Sequence, residues 1–340
     1  MYKSEAVGAG GISARVVAHS VAANSNTSIV TFELTYPRFI HSEFLTHRLF
    51  SRNAASSRAI PVEKVIEAVR ERPAMPIHWG KNQPGMQAKE ECDVLIRKIS
   101  GESFERDEWW KISSDLICNQ AEMFSEAGYH KQIVNRLLEP FQFMKTVVTA
   151  TEFDNFFALR RHPDAQPEIQ ELAECMWEAL QHSEPEVLEE GEWHVPYVAT
   201  LRINGKRIYC SWVKKFNDEH DTVTFDEITE EQALKVSASC CAQVSFRNSD
   251  TSLEKAEKIY DMLVNSKPVH SSPFEHQAKP IPDCSWEFEL DAPDSPMLEQ
   301  APDGITHECR RGKLWSGNFC NWIQHRQLIP ENTVWEYEDA

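Results

Sequence analysis

Apolar and polar residues alternate along several short stretches of this chain, which is the pattern of strands half buried in a sheet. The clearest case is residues 28–36, where Val30, Phe32 and Leu34 are separated by polar residues. Asn204-Gly205 lies between two further alternating runs and is typical of a hairpin turn. The strands predicted in this way are residues 12–21, 28–36, the hairpin within 197–213, and 285–291.

Apolar residues spaced three or four positions apart predict helices in most of the remaining chain. The strongest is expected after Pro167, where the helical period persists through three turns. Capping boxes predict helix starts at Thr149–Glu152, Thr229–Gln232 and Thr251–Glu254. The predicted helices are residues 40–52, 62–69, 88–99, 107–127, 130–138, one that carries Phe153, Phe156 and Phe157 inward, 167–180, 230–242, 252–265 and 317–327. We therefore expect an α+β protein, with an antiparallel or mixed sheet flanked by helices.

The composition is that of a soluble globular protein, with 41% hydrophobic and 26% charged residues among 340. No apolar run approaches the roughly 20 residues that span a bilayer. The N-terminus lacks the apolar core of a signal peptide, and nine cysteines without such a signal indicate reduced thiols, so we expect a cytoplasmic protein with no membrane partner. The net charge of −18 disfavours nucleic acid as a partner, because its phosphates would be repelled.

One stretch, residues 38–58, reverses this charge balance. It holds four arginines (Arg38, Arg48, Arg52 and Arg58) and a single carboxylate, Glu43. Guanidinium forks and hydroxyl groups bind phosphates well. The stretch is therefore interpreted as an anion-binding helix and loop, although an ordinary solvated helix face explains the same charges. Downstream, the Pro- and Gly-rich residues 73–85 predict an ordered loop, either a ligand lid or a plain surface connection.

Two short motifs recur at the two ends of the chain. Thr31–Pro37 resembles Glu287–Pro293, and His47-Arg48 recurs as His325-Arg326. In each copy a strand ends at Pro, and a His-Arg pair follows in a predicted helix. This indicates a repeated strand–helix unit, and chance similarity between short motifs is the competing interpretation.

The basic stretch resembles the signature of the flavin-dependent thymidylate synthases. That signature runs Arg-His-Arg, two residues, Ser, one residue, Asn-Glu, one residue, Ser, one residue, Arg. Two positions depart from it, since Thr46 stands for the first Arg and Ala54 for the Glu. The matching residues are His47, Arg48, Ser51, Asn53, Ser56 and Arg58.

Other segments resemble further parts of the same family. Asn155–Gln170 is similar to its C-terminal half, and Arg136 with Pro140 stands where the family has a nucleotide-binding Arg and its following Pro. Val244–Phe246 and His270–His276 resemble its N-terminal part, although here they come last. The resemblance therefore implies a circularly permuted, divergent member with the family's fold.

The resemblance also implies an activity. It predicts transfer of a one-carbon unit from methylenetetrahydrofolate to C5 of dUMP, giving dTMP, with FAD as redox carrier and NADPH as reductant. It implies a single catalytic domain over residues 1–340, in which 73–130 and 185–228 would be inserted segments. Because sites of this family are assembled from several subunits, it further implies a homo-oligomer, with a tetramer favoured and a smaller assembly as the alternative.

By the same resemblance, Arg160 is the catalytic residue, because a guanidinium can stabilise the negative charge that makes uracil C5 nucleophilic. On position alone, a helix-terminal cation that compensates the helix dipole is the competing interpretation. Glu43 stands where the family has a Gln that contacts the nucleotide, and its carboxylate would repel a phosphate unless it is neutralised or turned away. The residues implied to bind the flavin are His47, Arg48, Ser51, Asn155, Ser245, His270, Ser272 and Glu275. Those implied to bind the nucleotide are Glu43, Ser56, Arg58 and Arg136.

Two other functions stay open on the sequence. The departures at Glu43 and Ala54 allow the same scaffold to transfer a hydroxymethyl group to dUMP instead. A nucleic-acid-binding module built on the basic stretch is the alternative from another class, and 53 acidic against 35 basic residues disfavour it. No metal site is predicted, because the chain has neither a Cys-x-x-Cys pair nor a His-Glu-x-x-His motif.

Overall fold

The computed structural model describes residues 4–217, 220–244, 250–283 and 301–336. The helices are α1 (His41–Phe44), α2 (Val62–Glu71), α3 (Arg106–Glu126), α4 (Lys131–Leu138), α5 (Asp154–Arg160), α6 (Pro167–Gln181), α7 (Glu230–Ala242) and α8 (Leu253–Val264). The strands are β1 (Ser4–Val7), β2 (Ser13–Ala22), β3 (Ser28–Pro37), β4 (Ser51–Ala54), β5 (Ile96–Arg97), β6 (Ser103–Phe104), β7 (Phe143–Ala150), β8 (Glu186–Leu188), β9 (Ala199–Ile203), β10 (Lys206–Asn217), β11 (His220–Ile228), β12 (Ala278–Pro280), β13 (His307–Glu308), β14 (Leu314–Ser316), β15 (Phe319–Cys320) and β16 (Trp322–Gln324).

The main sheet has the strand order β1-β2-β3-β7-β4, and all of these neighbours are antiparallel. β8 adds a short parallel pairing to β2. The alternation that predicted β3 has its expected consequence, because Phe32 and Leu34 are fully buried on one face while Thr31 and Glu33 point to the other. The mixed, mostly antiparallel α+β fold expected from the sequence is therefore present.

One face of the main sheet is covered by α5 and α6. Leu172 and Met176 of α6 are fully buried against it, and Phe156 of α5 packs in the same core. Pro167 begins α6, and Gln166 caps it by accepting a hydrogen bond from the backbone N–H of Ile169. This packing fixes α5, whose last residue is Arg160, relative to the sheet.

The opposite face carries a chain of buried hydrogen bonds. Ser20 and Thr31 contact the two ring nitrogens of His194, both at 2.9 Å. Thr31 also contacts Thr149 at 2.7 Å, and Thr149 contacts Nδ1 of His276 at 2.8 Å. Burial lowers the pKa of His276 to about 3, so this imidazole is neutral at ordinary pH. The chain ties the segment before β12 to the centre of the main sheet.

A second apolar core lies in a bundle of α2, α3 and α4. Val69 of α2, Cys118 and Ala121 of α3, and Val134 and Leu138 of α4 are buried together. The segment expected to be an insertion between residues 73 and 130 supplies α3 to this bundle. None of the helices in the described ranges is both long enough and apolar enough to span a membrane.

Most predicted elements are confirmed, and except for the start of α5 and the end of β10 their ends agree within two or three residues. The confirmed elements are the strands β2 and β3, the β9–β10 hairpin turning at Asn204-Gly205, and the helices α2, α3, α4, α5, α6, α7 and α8. Residues 73–85 form irregular chain, as predicted.

The helix predicted over residues 40–52 is wrong in its extent. After α1 the chain turns and returns as β4. Leu45 and Leu49, which would lie on the apolar side of such a helix, are 43% and 42% exposed. Ser51 pairs with Thr149 of β7, so an available sheet edge, and not local periodicity, decides the conformation of β4.

Two more predicted helices are replaced by other structure. Residues 88–99 form irregular chain and β5, while residues 317–327 form β15, β16 and part of a 3-10 turn. Gly317 and Asn321 have φ values of 60° and 59°, left-handed conformations that interrupt a helix. The strand predicted at 285–291 falls outside the described residues.

The three predicted capping boxes have different outcomes. The box at Thr229 is formed in full and starts α7. Thr149 instead lies inside β7, and the following helix begins after Phe153 without a side-chain cap. Ser252, not Thr251, is the N-cap of α8, also without a side-chain hydrogen bond.

The α6 core yields a stability prediction. Leu172→Ala should lower the free energy of unfolding by about 2–5 kcal/mol, because Leu172 is fully buried against the sheet. Leu116→Ala is the matched control on α3, where the side chain is 57% exposed, and it should change stability by about 0.5 kcal/mol or less. Urea denaturation of both variants measures the difference, and equal losses would contradict this packing.

Candidate functional site

Arg52 of β4 stabilises the turn between α1 and β4, residues 45–50, by donating hydrogen bonds to its backbone. One guanidinium nitrogen of Arg52, Nη1, donates to the carbonyl oxygens of Leu45 at 2.9 Å and His47 at 3.2 Å. These carbonyls follow the end of a short helix and would otherwise lack partners from it. We call residues 45–50 the His47 turn. Its conformation is therefore set by a side chain from the strand that follows it.

His47 lies at the tip of this turn and contacts Arg160 at the end of α5. The Nε–H of Arg160 donates to Nε2 of His47 at 2.9 Å. An imidazole nitrogen that accepts a hydrogen bond carries no proton, so His47 is neutral in this contact. Burial, then the adjacent charges of Arg160 and Arg52, lower the pKa of His47 to about 4. The imidazole ring also packs edge-on against Phe156, with ring centres 4.8 Å apart.

Arg160 keeps its charge uncompensated. Its other partner is the hydroxyl of Thr46, which accepts from Nη2 at 3.2 Å, and no carboxylate pairs with it in the described part of the chain. The next residue provides a contrast, because Arg161 pairs with Glu174 at 2.9 Å and stacks on Trp177 at 4.4 Å. Two adjacent arginines therefore have different roles, since Arg161 is engaged in structure and Arg160 is available to an anionic ligand.

The C-terminal part of the chain reaches the same region through Ser51 of β4. The Ser51 hydroxyl, 1% exposed, donates to Oδ1 of Asn318 at 3.2 Å and accepts from Nε2 of Gln324 at 3.2 Å. Gln324 also donates to the backbone oxygen of Glu275 at 3.4 Å. The Glu275 carboxylate forms an ion pair with Arg326. Residues more than 200 positions apart in sequence thus meet in one hydrogen-bonded cluster.

A second group of predicted residues lies at the helical bundle. Arg58 and Arg136 line one open cavity of about 600 Å³, together with Phe124, Gln132, Ile133 and Leu137. The neighbouring Asn135, fully buried, donates through Nδ2 to the carbonyl oxygens of Ser57 at 2.7 Å and Ile60 at 3.0 Å. Asn135 thereby fixes the loop that carries Arg58 next to Arg136. Arg136 itself pairs with Glu139 at 3.1 Å on the exposed side of α4.

The remaining predicted site residues are placed as follows. Arg48 and Asn155 are exposed, on the His47 turn and on α5, and Arg48 has no ion-pair partner among the described residues. Ser272 is exposed at the start of a 3-10 turn, Ser272–Glu275, and His270 is exposed just before it. Ser245 lies outside the described residues.

Two further predicted residues concern the nucleotide. The hydroxyl of Ser56 accepts from the backbone N–H of Arg58 at 3.3 Å, within the loop next to the cavity. Glu43 is half-buried and pairs with neither His47 nor Arg48 in the ranges that the structure covers. The sequence allowed Glu43 either to be neutralised by His47 or Arg48 or to turn away from the anion. Neutralisation by these two residues is not observed in the described part of the chain.

Sequence reasoning gave no site role to four residues of this region: Arg52, Asn318, Gln324 and Arg326, of which Arg326 was noted only as part of the recurring His-Arg pair. Arg52 was visible as part of the basic stretch, but its carbonyl partners depend on a turn that periodicity did not predict. Asn318 and Gln324 carried no signal, since neutral side chains in a predicted helix look like an ordinary surface. No group of three or more His, Cys, Asp or Glu residues is placed to hold a metal ion in the described part of the chain.

Comparison with known proteins identifies the family of this chain. A family model described as thymidylate synthase complementing protein matches residues 11–186, just over half of the chain. The chain belongs to this family. The matched residues include β2, β3, β4 and β7, the His47 turn, and both Arg136 and Arg160.

Individual relatives are similar over smaller shares. A flavin-dependent thymidylate synthase from Aquifex aeolicus (strain VF5) is 28% identical over 157 residues, 44% of this chain and 44% of that protein. The chain thus spans less than half the length of this relative. Thymidylate synthase X from Helicobacter pylori, solved with FAD and dUMP, overlaps 45% of this chain and 67% of its own at 17% identity, with a TM-score of 0.32. The UMP/dUMP methylase PolB from Streptomyces cacaoi, solved with 5-Br dUMP, overlaps 45% and 65% at 19% identity, also with a TM-score of 0.32.

The His47–Arg160 contact yields a prediction about protonation. An NMR titration should show a pKa near 4 for His47, well below the ordinary value of about 6.5. Arg160→Met should raise this pKa, because it removes a neighbouring positive charge. Since the unfolded chain takes up the proton below about pH 6.5 and the folded chain only near 4, the stabilising contribution of His47 should decline as pH falls through that window.

Arg161→Met is the control for this titration, because Arg161 is paired with Glu174 and has no bond to His47. It should leave the pKa of His47 unchanged. An ordinary pKa for His47 in the unaltered protein, or equal effects of the two variants, would contradict the contact.

Proposed function

We propose that this chain is a flavin-dependent thymidylate synthase, which transfers a one-carbon unit from methylenetetrahydrofolate to C5 of dUMP and yields dTMP. FAD would be the redox carrier and NADPH the reductant. The observation that carries the proposal is the bond between Arg160 and His47, within the segment that the family model matches. The residue proposed for catalysis and a residue proposed for the flavin therefore meet at one place.

The side chains near the His47 turn suit FAD in their chemistry. Arg48 is an exposed cation without an ion-pair partner in the described residues, which suits a pyrophosphate. His47 is neutral and Ser272 exposed, which suits hydrogen bonds to a flavin ring. When bound, FAD would supply the redox chemistry of the reductive methylation. The residues we propose around it are His47, Arg48, Ser51, Asn155, Ser245, His270, Ser272 and Glu275.

Ser51 and Glu275 would act differently from the other members of this set. Ser51 is buried and engaged by Asn318 and Gln324, and Glu275 is paired with Arg326. We propose that both order the wall of the flavin site by holding the C-terminal segment against β4. The exposed members of the set are those available for direct contact.

Arg160 would act on the pyrimidine. Uracil C5 becomes nucleophilic when negative charge develops on the ring, and a guanidinium stabilises that charge by donating hydrogen bonds to ring N and O atoms. The partners of Arg160 in the described residues, His47 and Thr46, are neutral, so its positive charge is retained for this purpose. A guanidinium also stays protonated at any working pH, so the group needs no activation.

Arg58 and Arg136 would bind the phosphate of dUMP. They line the same cavity, and Arg58 has no ion-pair partner among the described residues. Two guanidinium groups give the charge-assisted hydrogen bonds that a phosphate requires. Ser56 would add a hydroxyl from the same loop, and Glu43 would stay turned away from the anion.

Assembly and segment order are part of the same proposal. By the resemblance to a family whose sites are assembled from several subunits, we propose a homo-oligomer, with a tetramer favoured. We also propose that the segment order is permuted. This rests on the resemblance of His270–His276 to the family's N-terminal part, and the contacts of Gln324 with Ser51 and Glu275 place this late segment next to the part that the family model matches.

The function is tested by incubating purified protein with FAD, dUMP, methylenetetrahydrofolate and NADPH, and identifying the product by mass. A methylated nucleotide supports the proposal, while a hydroxymethylated one would assign the alternative reaction. The protein should also bind FAD and show flavin absorption. A colourless protein that retains DNA in a salt-sensitive manner would contradict the proposal and favour the nucleic-acid-binding alternative.

Arg160→Ala should lower turnover by about 100- to 1,000-fold or more, because the charge that stabilises the ring is removed. FAD should remain bound, as measured by its absorption after gel filtration. Arg161→Ala is the matched control, since the neighbouring guanidinium is engaged by Glu174 and Trp177, and it should keep turnover. Unchanged turnover, or loss of FAD, in Arg160→Ala would overturn the role assignment.

Arg58→Gln should weaken binding of dUMP about 10- to 100-fold, because a charge-assisted contact to the phosphate is lost. Calorimetry with dUMP and with deoxyuridine separates this effect from a general loss of structure. Deoxyuridine lacks the phosphate, so its weaker affinity should be the same for both proteins. An equal loss for the two ligands would contradict a phosphate site at this cavity.

A further inference from the structure

We infer that Thr46 is a positioning residue that fixes the orientation of the Arg160 guanidinium for the reaction. The role of Arg160 in that reaction rests on the proposed function, but the contact with Thr46 stands on the geometry alone. Thr46 is the position at which the chain departs from the Arg of the family signature. No role follows for it from that signature.

The direction of the hydrogen bonds at Thr46 is determined by its first partner. The Thr46 hydroxyl lies 2.7 Å from the backbone oxygen of Glu43, which can only accept, so the hydroxyl proton points there. The lone pairs of the same oxygen are then left for a donor. Nη2 of Arg160 lies 3.2 Å away and fills that role. The order of donation therefore runs from Arg160 to Thr46 to the carbonyl of Glu43.

Together with His47, Thr46 holds Arg160 at two points. Nε of Arg160 is bound by His47 and Nη2 by Thr46, on consecutive residues of the His47 turn. A planar group held at two of its three nitrogens cannot rotate about the Nε–Cζ bond without breaking a contact. Nη1 makes no hydrogen bond within the described residues and is therefore available to a ligand.

The backbone on both sides of Thr46 is fixed as well. Arg52 binds the carbonyl oxygens on both sides of Thr46, those of Leu45 and His47. The Thr46 hydroxyl that accepts from Arg160 therefore lies on a turn whose backbone is held by hydrogen bonds on both sides. An Arg at this position, as in the family signature, could donate but not accept, and would place a second cation beside Arg160. Thr46 thus gives this chain an acceptor where the signature has a donor.

The test compares Thr46→Val, which removes the hydroxyl while keeping the shape, with Thr46→Ser, which keeps the hydroxyl. Thr46 is exposed, so neither change disturbs the core. Thr46→Val should lower kcat about tenfold or more, with the KM for dUMP and the affinity for FAD within about twofold of the unaltered protein. Thr46→Ser should restore kcat to within about twofold.

A second measurement does not depend on activity. With selectively ¹⁵N-labelled arginine, exchange between the two Nη signals of Arg160 reports rotation about Nε–Cζ, and Arg160→Lys assigns the signals. This exchange should be at least about tenfold faster in Thr46→Val than in the unaltered protein or in Thr46→Ser, because a hydrogen bond to a charged group is lost.

The outcomes separate the inference from the proposed function. Equal Nη exchange in all three proteins, or an unchanged kcat in Thr46→Val, overturns the inference. An equal loss of kcat in both variants also overturns it, because the hydroxyl would then not be the group that matters. If the unaltered protein has no synthase activity, the proposed function fails, while the exchange measurement still decides whether Thr46 orients Arg160.

Discussion

The structure around the candidate site depends on one hydrogen bond, from Nε of Arg160 to Nε2 of His47, which joins residues 113 positions apart. It requires a neutral imidazole, and burial beside two guanidinium groups lowers the pKa of His47 and keeps it neutral. The bond brings the end of α5 to the turn between α1 and β4. Because α6 packs α5 against one face of the main sheet, both side chains of this contact have fixed positions relative to that sheet.

A local exception to the overall charge makes this site suitable for anions. The chain carries 53 acidic residues, yet Arg48, Arg58 and Arg160 have no carboxylate partner in the described residues. Leaving a guanidinium unpaired forgoes a modest stabilisation at the surface, since exposed ion pairs contribute only about 0–1 kcal/mol. The gain is a positive charge that stays available to a phosphate or to a developing negative charge. Arg161, paired with Glu174, shows the structural use of the same side chain.

The fold was predictable where local pattern and tertiary environment agree. The alternation in β3 and the helical period of α6 each match one buried face, so both were predicted close to their observed ends. β7 was missed, because a strand buried on both faces loses its alternation, as the adjacent buried Val147 and Val148 show. β4 was predicted as the end of a helix followed by a loop, because its conformation is imposed by pairing with β7 and not by local pattern.

For the site, the sequence alone determined which side chains are available: the basic stretch with His47, a later Arg160, and Arg58 with Arg136. Those assignments depend on residue type and spacing, and both can be recognised by comparison with the motifs of a family. Only the tertiary structure decided which of them touch. Three sets of hydrogen bonds depend on sheet register and on turns. They join Arg160 to His47 and Thr46, Arg52 to the backbone of the His47 turn, and Gln324 to Ser51. Such contacts have no periodicity in sequence, because they are made by the packing of distant segments and not by their local conformational preferences.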